Sequence, residues 1–344
     1  MPLSVDDVFR LRDRHPVIDV RSEGEFAHGH IPGAFNVPLL NNEERAIVGT
    51  TYKLQGREEA VKDGFRLVGP RLNEIVEKAK DIAQGRQVLV HCWRGGMRSS
   101  NFAAFISMAG VRSEVLAGGY KAYRHEVLES FTRPVKMNIL GGYTGSGKSE
   151  ILRRLKDRGQ QVLDLEKMAN HRGSAFGGFN MDPQPTSEQF QNNLFEEIRT
   201  IDRNRPVWVE DESLAIGRIF LPDEFWKQMR SSPLYELDVV RTVRVTRLAA
   251  EYGATDRDAF SQTMQKISKR LGGQNLKAAQ ERLAAGDLAS AIDILLNYYD
   301  RTYREGIEKR QRLIKARVQW DGLSVDAAAG ELIARAEKMV GQAV

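Results

Sequence analysis

The chain has 344 residues, 41% hydrophobic and 28% charged, with 51 Lys+Arg against 46 Asp+Glu and a single cysteine. That length supports two or three domains with cores of their own, and a mean hydropathy of −0.44, with no run near the ~20 apolar residues of a membrane span, describes a globular chain without a membrane segment. One cysteine excludes an intrachain disulfide and a multi-cysteine metal site. The N-terminus carries Asp6, Asp7 and Asp13 and no apolar core, so it reads as unprocessed and cytoplasmic.

Residues 1–132 alternate short strand-like runs (HPVIDV, QVLVHC, SEVLAGG) with helical stretches, the pattern of a small parallel α/β domain. The run VLVHCWRGGMRSS places Cys92 after a strand and before a helix. Successive amides of such a loop, with the helix N-terminus, favour an anion at one point, and a thiol there has its pKa lowered. Arg94 and Arg98 add positive charge able to hold an oxyanion, so Cys92, Arg94 and Arg98 are the catalytic candidates. The plain alternative is a buried core cysteine. His-Cys-x5-Arg is also the shape of a cysteine phosphatase cradle. The upstream stretch VIDVRSEGEFAHGHIPGAFNVPL, with VLVHCWRGGMRS and VLAGGYKAYR, resembles the rhodanese family of sulfur transferases over nearly all of residues 5–130. The resemblance implies that Cys92 carries a chalcogen as persulfide or perselenide, that Asp19 and Arg21 form a structural pair, and that His30 stabilises the fold.

A Pro-bearing connection, FTRPVKMNILGG, leads into a second α/β pattern at 136–250. Gly142 to Ser149 (GYTGSGKS) satisfies G-x4-G-K-[ST] between a strand and a helix, which predicts a phosphate site built from Gly142, Thr144, Gly145, Ser146, Gly147, Lys148 and Ser149. Lys148 would neutralise phosphate charge and Ser149 could ligate Mg2+. Asp164, after the second strand, and Glu210-Asp211-Glu212, after the third, lie where such folds place metal and acceptor residues; solvated acids at strand ends are the alternative. His171 and Arg172 are candidate substrate contacts, and Phe176, Phe179 and Met181 candidate walls for an apolar substrate, with core packing the alternative. A phosphate loop shows phosphate binding and not ATP hydrolysis; a diphosphate leaving group fits the same cradle.

After 250 the strand signals fade and residues 251–344 read as a helical, basic region, broken at Gly272-Gly273 and near Gly322. The run 301–317 holds seven Lys/Arg against Glu305 and Glu308, with Tyr298, Tyr299 and Tyr303 at its front edge. It reads either as the solvated face of a long helix or as a phosphate-backbone surface with rings for base stacking. Lys266, Lys269 and Arg270 extend it. No coiled-coil seam is present, and the oligomeric state stays open, a monomer included.

The order of these parts, with DLEKMANHRGSAFG, QPTSEQF, VEDESLAIG and LLNYYDRTY, resembles the tRNA 2-selenouridine synthase family over essentially the full length. The fold expected is therefore α/β: a rhodanese-like domain, then a P-loop kinase-like domain with an α-helical C-terminal region. The resemblance implies that selenium from selenophosphate replaces the sulfur of wobble 2-thiouridine in tRNA, through an S-geranylated base made from geranyl diphosphate. Cys92 would bear the selanyl group and the P-loop would hold geranyl diphosphate, selenophosphate or a nucleotide. Two competitors are a sulfurtransferase or cysteine phosphatase fused to an ATPase, predicting ATP turnover without tRNA, and an RNA-binding scaffold that needs neither Cys92 nor Lys148.

Overall fold

The computed structural model describes residues 2–341, and the chain divides into two compact units, residues 1–130 with 191–196 and residues 131–190 with 197–344. In the first unit, β1 (Val17–Asp19), β2 (Phe35–Asn36), β3 (Val88–His91) and β4 (Ser113–Val115) form a parallel sheet ordered β2-β1-β3-β4. β1 and β3 are buried over their whole length, so they appear in the sequence as apolar runs without alternation that end at buried Asp19 and His91. Their side chains share a core with helices Leu72–Ala83 and Met97–Met108 through Ile75, Ala79, Phe102 and Ile106. Between β2 and β3 lie two more helices, Asn42–Gln55 and Arg57–Val68, which leave Tyr52, Leu54 and Phe65 exposed.

The second unit contains β5 (Met137–Gly142), β6 (Gln161–Leu163), β7 (Val207–Glu210), the short antiparallel pair β8 (Ala215–Ile216) and β9 (Ile219–Phe220), then β10 (Leu234–Asp238) and β11 (Ile314–Gln319). Its main sheet is parallel with order β11-β10-β5-β7-β6. β5 is central, so the glycine loop at its carboxyl end lies beside the carboxyl ends of β7 and β10, the usual edge for ligand sites in such sheets.

The basic stretch 301–317, expected as one helix, differs in the structure. Helix Leu288–Glu308 stops, Gln311–Leu313 make a single 3-10 turn, and Ile314–Gln319 join the sheet as its edge strand β11. Ile314, Ala316 and Val318 are the less exposed positions and Lys315, Arg317 and Gln319 the exposed ones. This period of two is hidden in the sequence by basic residues of the kind that protect sheet edges from unwanted pairing. Nor does 251–344 stand apart: position 250 falls inside helix Arg241–Tyr252, and Ala328, Ala329 and Leu332 of helix Val325–Gly341 share a core with Ile151, Leu152 and Leu155. The rest of the region is helical as expected, with the break at Gly272 present and another at Gly286, where Asp287 caps the next helix through the Ser290 amide.

Candidate functional site

Two loops carry the candidate residues, one in each unit. Cys92 follows β3 directly, and helix Met97–Met108 begins after Gly96, a cap residue with no side chain to satisfy the first helical amides. The Cys92 sulfur takes that role. It lies 3.2 Å from the Ser99 hydroxyl and is only 3% exposed. Burial pushes the thiol up, but hydrogen bonds from the Ser99 hydroxyl and from the amides of Ser99, Arg94 and Gly96 outweigh it, and the net shift is downward. Ser99 has one hydroxyl proton and two acceptors, the Gly96 carbonyl at 3.0 Å and the sulfur; ionisation of Cys92 turns that proton to sulfur.

The loop is held from behind. The amides of Tyr120 and Lys121 donate to the carbonyls of Cys92 and Trp93 at 2.8 and 2.9 Å, which keeps the loop's carbonyls away from the sulfur. Gly119, at φ +59°, makes this approach possible: a Cβ there would stand 2.3 Å from the Cys92 carbonyl oxygen. Beneath lies a buried polar group. Arg21 pairs with Asp19 at 2.6 Å, lies over the Tyr120 ring at 3.8 Å and donates to the Gly29 carbonyl. Burial opposes the Asp19 charge, yet His91 and Arg21 hold its carboxyl below the ordinary value. His30 stacks on Phe26 and contacts the Phe26 carbonyl. These three residues are structural supports of the fold, as the sequence reading anticipated.

The two arginine candidates separate. Arg94 is exposed and has no hydrogen-bond or ion-pair partner among the described residues. Arg98 is bound to Glu25 at 2.7 Å, and Glu25 also pairs with Arg45. Arg98 therefore ties the first turn of the helix to Glu25, while Arg94 alone presents an uncommitted charge.

In the second unit the helix after β5, Lys148–Asp157, also starts from a glycine cap, Gly147. Gly147 has φ +79°, and a Cβ on it would meet the Trp320 ring at 2.6 Å and the Arg247 guanidinium at 2.8 Å. Several polar groups of the loop have internal partners. Lys148 Nζ donates to the Gly142 carbonyl at 3.2 Å, the Gly142 amide donates to the Tyr303 hydroxyl, Ser149 donates to Glu166, and Arg244 donates to the Thr144 carbonyl at 3.2 Å. The Ser146 hydroxyl is buried without a partner among the described residues. Arg244 is itself fixed by two 2.8 Å bonds to Asp300.

Facing the loop is a group of acids. The Glu166 amide donates to Glu210 at 2.6 Å, and the other Glu210 carboxyl oxygen is buried without a partner. Burial, with Asp164 and Glu166 nearby, pushes the Glu210 carboxyl well up. Burial and Glu166 raise Glu212 to about 8 against the opposing pull of Lys148. Asp164 is raised chiefly by burial and caps the Lys167 amide at 2.9 Å. Asp211 takes a different course: it pairs with buried Arg310 and lies 3.6 Å from Arg230. Ser149, Glu166 and Glu210 supply the hard oxygens Mg2+ favours. No group of three or more His, Cys, Asp or Glu able to hold a metal occurs among the described residues, so Mg2+ here would need oxygens from a bound phosphate.

His171 is buried near Glu166, with Nδ1 unpartnered, and burial lowers its pKa. Arg172 is paired with Glu251 at 3.0 Å and donates to the Phe179 carbonyl. Phe176 stacks on Phe260 at 4.6 Å within the helical core, the packing alternative. The tyrosines are engaged internally: Tyr298 accepts from Arg270, Tyr299 from the Ala175 amide, and Tyr303 lies at the phosphate loop. Of the seven basic residues at 301–317, Arg310 and Arg317 are used in ion pairs with Asp211 and Glu236. Ser99 and Glu166 were not singled out from the sequence. Their only signal was position, in the first helical turn after Cys92 and two residues beyond Asp164.

Comparison with known proteins agrees with this division. A family described as "tRNA 2-selenouridine synthase AAA domain" matches residues 135–325, and a rhodanese-like domain matches residues 4–126. Proteins named tRNA 2-selenouridine synthase from Nitrosomonas europaea and Bdellovibrio bacteriovorus are 33% and 36% identical, each over 86% of this chain and 90% and 89% of their own lengths. One of the same name from Nitrosomonas eutropha is 34% identical over 86% of this chain and 89% of its own.

Proposed function

The chain belongs to the tRNA 2-selenouridine synthase family, and from that membership we propose that it replaces sulfur by selenium at C2 of a wobble 2-thiouridine in tRNA, through an S-geranylated intermediate. The observation that carries the reading is the sulfur of Cys92, whose ionisation is favoured by three amides and Ser99, in the same chain as a phosphate loop.

In the first step the thiocarbonyl sulfur attacks C1 of geranyl diphosphate, the C1–O bond breaks and diphosphate leaves. The amides of residues 142–149 and Lys148 take up the charge of the departing group. A bound Mg2+, held by Ser149 and Glu166 or Glu210 together with the diphosphate, would supply further charge neutralisation. Alkylation turns a poor leaving group into a thioether-like one.

In the second step water cleaves the P–Se bond of selenophosphate to phosphate and selenide, and the selenide opens a small-molecule disulfide to a thiol-bound perselenide. The Cys92 thiolate attacks its selenium and displaces the thiol, so that Cys92 carries selenium as a perselenide; the disulfide consumed is regenerated when Cys92 is restored. Arg94 receives the phosphate oxygens of the donor and Arg98 positions the loop through Glu25. The terminal selenium adds at C2, the C2–S bond breaks, and geranylthiolate leaves and takes a proton. A small-molecule thiol then attacks the Cys92 sulfur and breaks the S–Se bond, leaving selenium on the base. A second thiol restores Cys92. The tRNA rests on exposed Lys266, Lys269, Arg270, Arg304, Lys309, Arg312 and Lys315, and its anticodon loop presents the wobble base unstacked.

The test is incubation with 2-thiouridine tRNA, geranyl diphosphate, selenophosphate and a thiol with its disulfide, with mass spectrometry of the wobble nucleoside. Selenouridine is the expected product. An unchanged nucleoside from protein that hydrolyses ATP without tRNA would reject the reading in favour of a fused sulfurtransferase and ATPase.

A further inference from the structure

The first unit contains a pocket of about 680 Å³ that the chemistry above does not use. Its walls come from helices Asn42–Gln55, Arg57–Val68 and Met97–Met108 and from the segment before the first of them, and they are mostly apolar: Leu39, Leu40, Val48, Val61, Phe65 and Phe105. Its few polar side chains, Tyr52, Arg57, Arg98 and Asn101, are sparse against that apolar lining. The volume lies within the range of about 300–1,000 Å³ typical of small-molecule sites.

Two further observations show a built cavity. Gly64 lines it from the middle of a helix, where glycine is among the poorest residues, and a Cβ added there meets no atom within 4 Å. A larger side chain would fit the backbone and fill the space. The pocket is also continuous with the Cys92 loop: Met97 and Arg98, which line it, are the first two residues of the helix that begins where that loop ends, and Arg57 donates to the Met97 sulfur at 3.6 Å.

We propose that this pocket binds the branched hydrocarbon chain on the sulfur of the S-prenylated base, presenting C2 to the Cys92 loop. The assignment rests on the proposed S-geranyl intermediate. It moves the apolar wall from Phe176, Phe179 and Met181, where the sequence suggested it, to the helices that flank β3 in the first unit. A chain buried here orients the base for the second step, and its thiol leaves into the same apolar space.

The test titrates the full-length protein with S-geranyl-2-thiouridine and with 2-thiouridine as free nucleosides. Wild type is expected to bind the geranylated nucleoside at least tenfold more tightly. Gly64→Leu should remove that preference without lowering the unfolding midpoint. Glu58→Leu, at a side chain 85% exposed on the same helix, should retain it. Absence of a preference in wild type, or its survival in Gly64→Leu, overturns the proposal. As a check needing no variant, a diazirine-bearing geranyl nucleoside should crosslink to residues 48–72 and 97–105; crosslinks confined to 142–320 would also overturn it. The reaction is scored separately, by selenium incorporation into an S-geranylated stem-loop. Its failure, with the nucleoside preference intact, removes the proposed reaction and leaves a prenyl site.

Discussion

The loop after β3 and the loop after β5 share a backbone plan: a buried parallel strand, a glycine-bearing turn, and a helix capped by Gly96 or Gly147. Several other helices in this chain begin under a side-chain cap, from Ser4, Asn41, Thr186, Asp256 or Asp287, although Gly56 and Gly272 also cap helices that do not follow a strand. A glycine cap leaves the first amides to something else. In the first unit that partner is covalently part of the chain, the sulfur of Cys92, and the surrounding groups lower its pKa. The second unit has no resident anion: Lys148, Ser149 and the Gly142 amide are satisfied internally, and the facing Glu210 and Glu212 are raised. One plan thus surrounds a resident sulfur in one unit and an open glycine loop in the other. The difference lies in which groups must exchange partners when a ligand arrives.

The comparison predicts two separable defects. Cys92→Ala should lower selenium incorporation by about 10⁴-fold or more, as loss of a nucleophile does, while S-geranyl nucleoside accumulates. Lys148→Ala should lower formation of that S-geranyl nucleoside by about 10²–10³-fold, the usual effect of removing one charge-stabilising donor. A pre-geranylated stem-loop should still be selenated by Lys148→Ala. Both outcomes are read by mass spectrometry of the wobble nucleoside, and a single variant that stops both steps equally would break the separation of the two loops.

Both loops could be read from the sequence because each depends on local chain geometry. Cys92 to Arg98 and Gly142 to Ser149 are contiguous, and their backbone sets their chemistry. The residues around them could not be read in this way. Ser99 and Glu166 matter through contacts that only the fold defines, and Asp211 was a candidate by position yet pairs with Arg310, 99 residues away. β11 was masked by its basic residues. The apolar pocket escaped because its lining is drawn from Leu39 to Phe105, and no single stretch of that sequence shows it.

A pH experiment sharpens the contrast further. Glu212 titrates at about 8 in the folded chain against an ordinary value of 4.5. The folded state then holds a proton that the unfolded chain releases between those values. Its contribution to stability is full below about pH 4.5 and declines as pH rises toward 8, by at most about 1.4 kcal/mol per pH unit. Glu212→Gln should remove this loss, so its advantage over wild type in urea unfolding should be larger at pH 8 than at pH 6. The sign is opposite for Cys92, whose lowered pKa makes ionisation through the thiol range favour the folded state. An equal advantage at both pH values would show that Glu212 is not held protonated, and the proposed difference between the two surroundings would fail.

The smallest expected effect bears on why the Cys92 loop is more than a phosphate-type loop with a sulfur in it. Its amides alone would make the two loops equivalent, whereas the Ser99 hydroxyl, 3.2 Å from the sulfur, is a donor the amides do not replace. A hydrogen bond to a charged group contributes about 1.5–3 kcal/mol, so Ser99→Ala should raise the Cys92 pKa by roughly one unit. Selenium transfer at neutral pH should fall about tenfold, because the ionised fraction of the thiol falls by that factor. The midpoint of the pH dependence of iodoacetamide alkylation reads the shift directly. A midpoint that moves by about one unit assigns the control of the thiol to the side chain. An unmoved midpoint assigns it to the backbone, and the two loops then differ only in what they hold.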